Sequence, residues 1–105
     1  MHADNPRHHT VAFGDVPAPT GLIHTMLEAK TIDDVGRCYD RALNAGIKIA
    51  ASLGRHVNDH MLSFYMHSPS GWVVEFGCMG TQFDWSTFTP TISHKDSHWG
   101  HRWGG

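Results

Sequence analysis

Residues 60–78, HMLSFYMHSPSGWVVEFGC, predict the β-hairpin on which the rest of the fold is built. Two largely apolar runs, residues 60–67 and 72–78, flank a short polar turn. Pro69 suits the first corner of a type I turn, and Gly71 suits the left-handed residue that closes a three-residue hairpin loop. The two runs are therefore predicted to be antiparallel neighbours joined by a tight loop.

A helix is predicted upstream of the hairpin, over residues 31–45 (TIDDVGRCYDRALNA). Thr31 suits the N-cap, and Gly46 lies where a left-handed residue commonly ends a helix. The apolar residues form one stripe at helical spacing: Ile32, Val35, Tyr39, Ala42 and Leu43. With strands predicted at 21–30 and 47–53, the order over residues 21–78 is strand–helix–strand–strand–strand. The predicted class is α+β, with one βαβββ module.

The two flanks of this module give weaker patterns. Residues 9–13 predict a short leading strand, whereas residues 79–105 show no periodicity, and we expect this tail to be largely disordered. If the tail were helical, His94, His98 and His101 would share one face and form a surface metal site of low specificity.

Composition excludes several classes of function. The chain has 105 residues, 40% of them hydrophobic and 17% charged, which predicts one small globular domain. A net charge of −2 gives no basis for nucleic acid or an anionic membrane surface as a partner. No apolar run is long enough to span a bilayer. Cys38 and Cys78 lack zinc-site spacing, so we expect free thiols in a reducing cytoplasm.

Glu75 and His24 are the candidate functional residues that the strand patterns single out. Glu75 interrupts the apolar run WVVEFG, and a buried carboxylate requires a proton, a cation or a metal ion. A solvated strand face would require none of these, and His24 in its own apolar strand could equally bond a backbone carbonyl. The three-residue loop places Tyr65 opposite Glu75 on one face. The spacing alone leaves both interpretations open.

Several stretches together resemble the type I extradiol catechol dioxygenases of the vicinal oxygen chelate superfamily, in particular the dihydroxybiphenyl branch. They are NPRHHTVAF (5–13), LIH (22–24), GRHVNDHM (54–61), SFY (63–65), SPSG (68–71), EFG (75–77) and WGH (99–101). A histidine, a Phe-Tyr pair, a Pro-Ser-Gly turn and a glutamate in this fixed order are more specific than any single motif. Ser68 departs from the residues usual before the proline, although the turn needs only a small polar residue there.

The resemblance implies Fe(II), or alternatively Mn(II), held by two histidines and one glutamate, with O2 as co-substrate and a catechol such as 2,3-dihydroxybiphenyl as substrate. His24 and Glu75 match metal ligands, so we expect them on neighbouring strands with polar atoms roughly 3–4 Å apart. His9 matches the acid–base histidine. His56 and Tyr65 match the residues that hydrogen-bond the diol.

The resemblance also implies that the chain is the C-terminal part of a larger enzyme. Residues 5–14 match the last strand of a preceding module, residues 21–78 a complete module, and residues 79–105 the tail. The first histidine ligand lies upstream in the family, so we expect the isolated chain to be inactive. We also expect it to pair with another module or another copy. The alternatives are a non-catalytic half-module that binds a metal or a partner, and a glyoxalase-type protein of the same fold.

Overall fold

One helix and five strands form the fold in a computed structural model that describes residues 1–14, 21–89, 93 and 95–104. The elements are β1 (His24–Glu28), α1 (Ile32–Asn44), β2 (Ile49–His56), β3 (Leu62–His67), β4 (Val73–Cys78) and β5 (Ser97–Gly100). The strands form one sheet in the order β1-β4-β3-β2-β5, in which β1 and β4 are parallel and the other pairs antiparallel. The predicted α+β class is confirmed.

The helix α1 begins and ends where its local signals predict. The Thr31 hydroxyl accepts a hydrogen bond from the backbone N–H of Asp34 at 3.1 Å, and Gly46 is left-handed, with φ of 74°. The helix buries Val35 and Ala42 in the main core, which also contains Leu62, Phe64 and Cys78. Packing of this stripe on one face of the sheet leaves the opposite face for polar side chains.

The β3–β4 hairpin has the predicted register. The N–H of Ser68 donates to the carbonyl of Trp72 at 3.0 Å across a loop of residues 69–71, and Gly71 has φ of 96°. Tyr65 is consequently paired with Glu75. Both residues therefore lie on one face of the sheet, as the loop length predicts.

The strand predicted over residues 9–13 is wrong. These residues are outside the sheet and largely exposed, and the N–H groups of Thr10 and Val11 donate to the carbonyl of Met1. A strand needs a neighbouring strand as partner for its backbone hydrogen bonds. For residues 9–13 that partner would be the sheet of a preceding module. The assignment of residues 5–14 to such a module stays a prediction.

The tail differs from the predicted disorder, and from the helical alternative, because part of it forms β5. Its register on β2 pairs Gly54 with Gly100 and Arg55 with Trp99. His98 therefore lies in a strand, and His94 lies outside the described residues. Nothing helical in the described part of the chain has the length and apolar character that crossing a membrane requires.

Candidate functional site

Glu75 is the centre of a buried polar cluster on the sheet face away from α1. It lies within β4 and only 6% of it is exposed. Oε1 of Glu75 lies 3.3 Å from Nε2 of His24, whereas Oε2 accepts a hydrogen bond from the Ser63 hydroxyl at 2.6 Å. Nε2 of His56 lies 3.1 Å from the same Oε2. One carboxylate oxygen is thus held by Ser63 and His56, and the other faces His24.

The strand register explains why these side chains meet. In β1, His24 is the neighbour of Val73, two residues before Glu75, and residues two apart share a face. In β3, Tyr65 is paired with Glu75 and Ser63 is two residues before Tyr65. The expected separation of His24 and Glu75 on neighbouring strands is confirmed.

His56 connects this cluster to the tail. Its Nε2 lies 2.7 Å from the Tyr65 hydroxyl as well as 3.1 Å from Glu75. Its Nδ1 lies 3.3 Å from the carbonyl oxygen of Asp96 and 3.4 Å from the Asp96 carboxylate. The ring stacks on that of His101, with centroids 4.2 Å apart. His56 therefore has polar partners at both ring nitrogens.

The protonation states in the cluster follow from burial and mutual contact. Burial alone would raise the pKa of Glu75, but hydrogen bonds from His24, His56 and Ser63 outweigh it and hold that pKa below its ordinary value. Burial would lower the pKa of His56, yet the hydrogen bond to Glu75 and its charge raise it overall. Burial, then the charge of Glu75, raises the pKa of Tyr65. The cluster favours an ionised Glu75, a protonated His56 and a neutral phenol.

His9 lies apart from this cluster. It is in the exposed N-terminal segment, where its Nδ1 lies 3.0 Å from Nδ1 of His8. That segment packs against the tail, since the ring of His8 contacts those of Phe83 and Phe88. The structure therefore brings together four of the five predicted site residues, namely His24, His56, Tyr65 and Glu75, and leaves His9 outside.

His24 and Glu75 form a donor pair that fits a divalent metal ion. Two ligands bonded to one ion at about 2.0–2.2 Å and roughly at right angles lie about 3 Å apart; Nε2 of His24 and Oε1 of Glu75 are 3.3 Å apart. An imidazole and a carboxylate are two members of the 2-His-1-carboxylate set of non-haem iron oxygenases. Within the described residues, His56 is directed at Oε2 and Tyr65, so the pair lacks the second histidine of that set.

The chain also matches a known family. A family model of the Glyoxalase/Bleomycin resistance protein/Dioxygenase superfamily matches residues 1–76. The chain belongs to this superfamily. The motif resemblance is thereby confirmed at the level of the family.

Individual relatives within the superfamily are dioxygenases. The iron-dependent extradiol dioxygenase of Rhodococcus jostii (strain RHA1) is 52% identical over 97 residues, which cover 92% of this chain and 32% of that protein. The biphenyl-2,3-diol 1,2-dioxygenase of Paraburkholderia xenovorans (strain LB400) is 44% identical over 99 residues, 93% of this chain and 32% of that protein. A crystal structure of catechol 2,3-dioxygenase matches with a TM-score of 0.84 at 31% identity, over 96% of this chain and 33% of that one. This superfamily member thus spans about a third of the length of these relatives.

Sequence reasoning gave two polar residues, Ser63 and His101, no role in this cluster, although both lie in motifs that carry the resemblance. A signal for Ser63 was present, because it interrupts an apolar strand two residues before Tyr65 and must share its face. For His101 the local sequence gave no sign that the side chain is buried. It is 5% exposed because the backbone turns at Gly100 and His101, with φ of 69° and 48°, and its Nε2 lies 2.9 Å from the Ser63 carbonyl.

Proposed function

We propose that the chain is the metal-binding module of an extradiol dioxygenase that cleaves the ring of catechols such as 2,3-dihydroxybiphenyl with Fe(II) and O2. The observation that carries the proposal is that the two oxygens of the Glu75 carboxylate have different partners. Its Oε1 faces His24, and its Oε2 is held by Ser63 and His56 beside the Tyr65 hydroxyl. A buried ionised carboxylate with one oxygen directed at an imidazole is the arrangement that a cation stabilises.

His24 and Glu75 would hold the metal ion, which we assign as Fe(II), with Mn(II) as the alternative for the same nitrogen and oxygen donors. A bound ion of this kind supplies Lewis-acid chemistry and open positions for the diol oxygens and O2. The hydrogen bond from Ser63 to Oε2 fixes the carboxylate so that Oε1 stays turned toward His24. Orientation of a metal ligand by an outer hydrogen bond is typical of metal sites.

His56 and Tyr65 would bind the diol beside that position. Their polar atoms are 2.7 Å apart, and both lie next to Glu75. Burial and the charge of Glu75 raise the pKa of Tyr65, so the phenol remains a hydrogen-bond donor. The raised pKa of His56 favours a cationic imidazole. Such a cation would stabilise the negative charge that develops on a diol oxygen when its proton leaves.

For His9 we retain the role of acid–base residue in the assembled enzyme. Its exposure in the N-terminal segment means that the role requires this segment to pack against the cluster when a further module is present. Such a module would also contribute the first histidine ligand, with His24 as the second. Leu27 in the edge strand β1 is 57% exposed, which supports pairing with another module or another copy. The free thiols Cys38 and Cys78 suit a cytoplasmic enzyme.

A chimera tests the proposal. The matching third of the Rhodococcus jostii relative would be replaced by this chain, and oxygen consumption would be measured with 2,3-dihydroxybiphenyl and Fe(II). We expect the chimera to consume oxygen and its Glu75→Ala variant to lose this activity. Glu28→Ala, which removes an ion pair with Arg7 outside the cluster, should retain it.

Failure of the chimera would favour the alternative of a non-catalytic half-module. If the chimera folds and binds iron but consumes no oxygen, the proposed activity is wrong. The isolated chain should bind iron weakly and consume no oxygen, because it supplies too few ligands for a stable site. Rapid ring cleavage by the isolated chain would contradict the proposed need for a second module.

A further inference from the structure

The rings of His56 and His101 stack on each other where the tail meets the sheet. Their centroids are 4.2 Å apart and their planes differ by 27°. Nε2 of both rings faces the sheet interior, toward Glu75 in one case and Ser63 in the other. Nδ1 of both rings faces the tail, where His56 approaches Asp96 and His101 approaches Ser97. Two imidazoles therefore present the same edge to the dipeptide Asp96-Ser97.

The partners of the inner nitrogens determine where the lone pairs lie. Nε2 of His101 is 2.9 Å from the carbonyl oxygen of Ser63, and a carbonyl only accepts, so this nitrogen carries the proton. Nε2 of His56 lies 3.1 Å from the Glu75 carboxylate, which also only accepts when ionised. Both neutral rings then have their lone pair on Nδ1. A histidine whose other N–H donates to a carbonyl or a carboxylate is the typical metal ligand.

We propose that His56, Asp96 and His101 form a second metal site, separate from His24 and Glu75, that binds a divalent transition ion such as Zn²⁺ or Co²⁺. One ligand atom from each of the three residues lies within 4.8 Å of the other two. Two imidazoles with one carboxylate favour such ions over Mg²⁺ or Ca²⁺, which prefer oxygen ligands. The Ser97 hydroxyl, 2.6 Å from Nδ1 of His101, or a water molecule would complete a four-coordinate sphere.

The surroundings of this tail site allow an ion to enter. The Asp96 side chain is 63% exposed and lines a surface cavity with Asn58, Ser93 and Lys95. Nδ1 of His56 lies 3.3 Å from the carbonyl oxygen of Asp96 and 3.4 Å from its carboxylate. A bound ion would replace the proton that Nδ1 of a cationic His56 directs at Asp96. Since Asp96 and His101 flank β5 and His56 lies in β2, the ion would also fasten the tail to the sheet.

Co²⁺ titration of the 105-residue chain tests the site, because its visible absorption reports the ligand sphere directly. The His24→Ala background removes the other donor pair. In this background we expect one Co²⁺ per chain, and Asp96→Asn should weaken its affinity by about 100-fold or more, since losing even an outer partner of a ligand costs about 10- to 100-fold. The exposed His98 of β5, whose ring stacks on that of His60, provides the matched control His98→Gln, with unchanged affinity.

Nitrogen-15 spectra of the imidazoles give a second measurement, which should place the ion on Nδ1 of His56 and His101. Loss of all Co²⁺ binding in His24→Ala alone, or Co²⁺ affinity in Asp96→Asn equal to that of its parent, would overturn the proposal. Circular dichroism of each variant verifies the fold, and the exposure of Asp96 makes its replacement a mild change. The outcome is independent of the proposed ring cleavage, which the chimera tests separately.

Discussion

Ser63 donates a hydrogen bond to Glu75, with 2.6 Å between Oγ and Oε2, and both side chains are buried. This contact fixes the rotation of the carboxylate and directs its other oxygen at His24. A buried ionised acceptor makes the bond stronger than an ordinary one, because charge-assisted hydrogen bonds are roughly twice as strong as neutral ones. Ser63 is therefore expected to act on metal binding through Glu75, without touching the ion itself.

Removing this hydroxyl should weaken metal binding without unfolding the chain. For Ser63→Ala we expect an affinity for Fe(II) about 10- to 100-fold lower, which is the usual cost of losing an outer partner of a metal ligand. The measurement is anaerobic Fe(II) titration of the chimera. Ser86→Ala is the matched control, because it deletes the same hydroxyl from a serine that donates to the Asp84 carboxylate at 2.6 Å on the surface. Equal affinities in the two variants would show that Ser63 does not orient the ligand.

The Glu75–His56 pair should give the metal-free chain a stability maximum at mildly acidic pH. The pKa of Glu75 is lowered from 4.5, so its contribution to the free energy of unfolding is complete above that pH and is lost as the pH falls. The pKa of His56 is raised from 6.5, so its contribution is complete below that pH and is lost as the pH rises. Both contributions are present between these two values.

Urea denaturation from pH 3 to pH 9 checks this prediction. The difference in free energy of unfolding between the metal-free chain and Glu75→Gln should be largest between pH 4.5 and 6.5. It should shrink on either side of this window. A difference that is independent of pH would mean that the pair contributes no linked protonation.

Docking of β5 depends on the absence of a side chain at Gly54. A Cβ there would collide with the backbone nitrogen of His101 and would lie 2.7 Å from the Trp99 carbonyl. Gly54→Ala should therefore destabilise the chain by about 1–3 kcal/mol, the usual cost of overpacking. Amide hydrogen exchange should show lost protection in β5 first. Full protection of β5 in this variant would refute the close approach.

Gly36 in α1 supplies the control for this experiment. A Cβ at Gly36 meets nothing within 4 Å, so Gly36→Ala should stabilise the chain by about 0.8–1.0 kcal/mol through helix propensity. The same substitution is thus expected to have opposite effects at two positions. Urea denaturation measures both free energies directly.

The sequence predicts those parts of the fold whose signals are local. Thr31 and Gly46 bracket the helix, and Gly71 sets the loop that aligns Tyr65 with Glu75. By contrast, β5 contains only Ser97–Gly100 and has no alternation of apolar residues. Its partner strand lies far earlier in the chain, with Gly54 and Gly100 paired at a separation of 46 residues. Such a strand is determined by close packing of two backbones, which no local pattern encodes.

The residues of the site likewise differ in whether local signals predict them. His24, Glu75, Tyr65 and His56 could be predicted because a fixed register and a family motif both point to them. His101 could not, because its burial follows from a left-handed backbone after a strand that itself was not predicted. The predicted position of His9 in a strand failed because that strand requires neighbours that the described residues do not supply. Prediction from sequence therefore ended where contacts become non-local.

The last prediction separates metal ligands from catalytic groups in the active chimera. His24→Ala and Glu75→Ala should each abolish iron binding and oxygen consumption together, because each removes one of the bonds to the ion. His9→Gln should retain the iron, since His9 lies outside the Glu75 cluster in this structure. Its rate should fall by about 10²- to 10⁴-fold, the usual contribution of general acid–base catalysis, because glutamine has similar reach but cannot transfer a proton.

Iron content by metal analysis and oxygen uptake with 2,3-dihydroxybiphenyl, measured on the same preparations, distinguish these cases. His2→Gln controls for the loss of an N-terminal histidine, because His2 lies in the same segment as His9 and has no proposed role in the reaction. Its ring stacks on that of Trp85. If His9→Gln lost its iron together with its activity, His9 would be a ligand and the missing histidine of the metal site would come from this chain. A wild-type rate with full iron content would instead leave proton transfer to His56, whose Nε2 is already beside the Tyr65 hydroxyl at 2.7 Å.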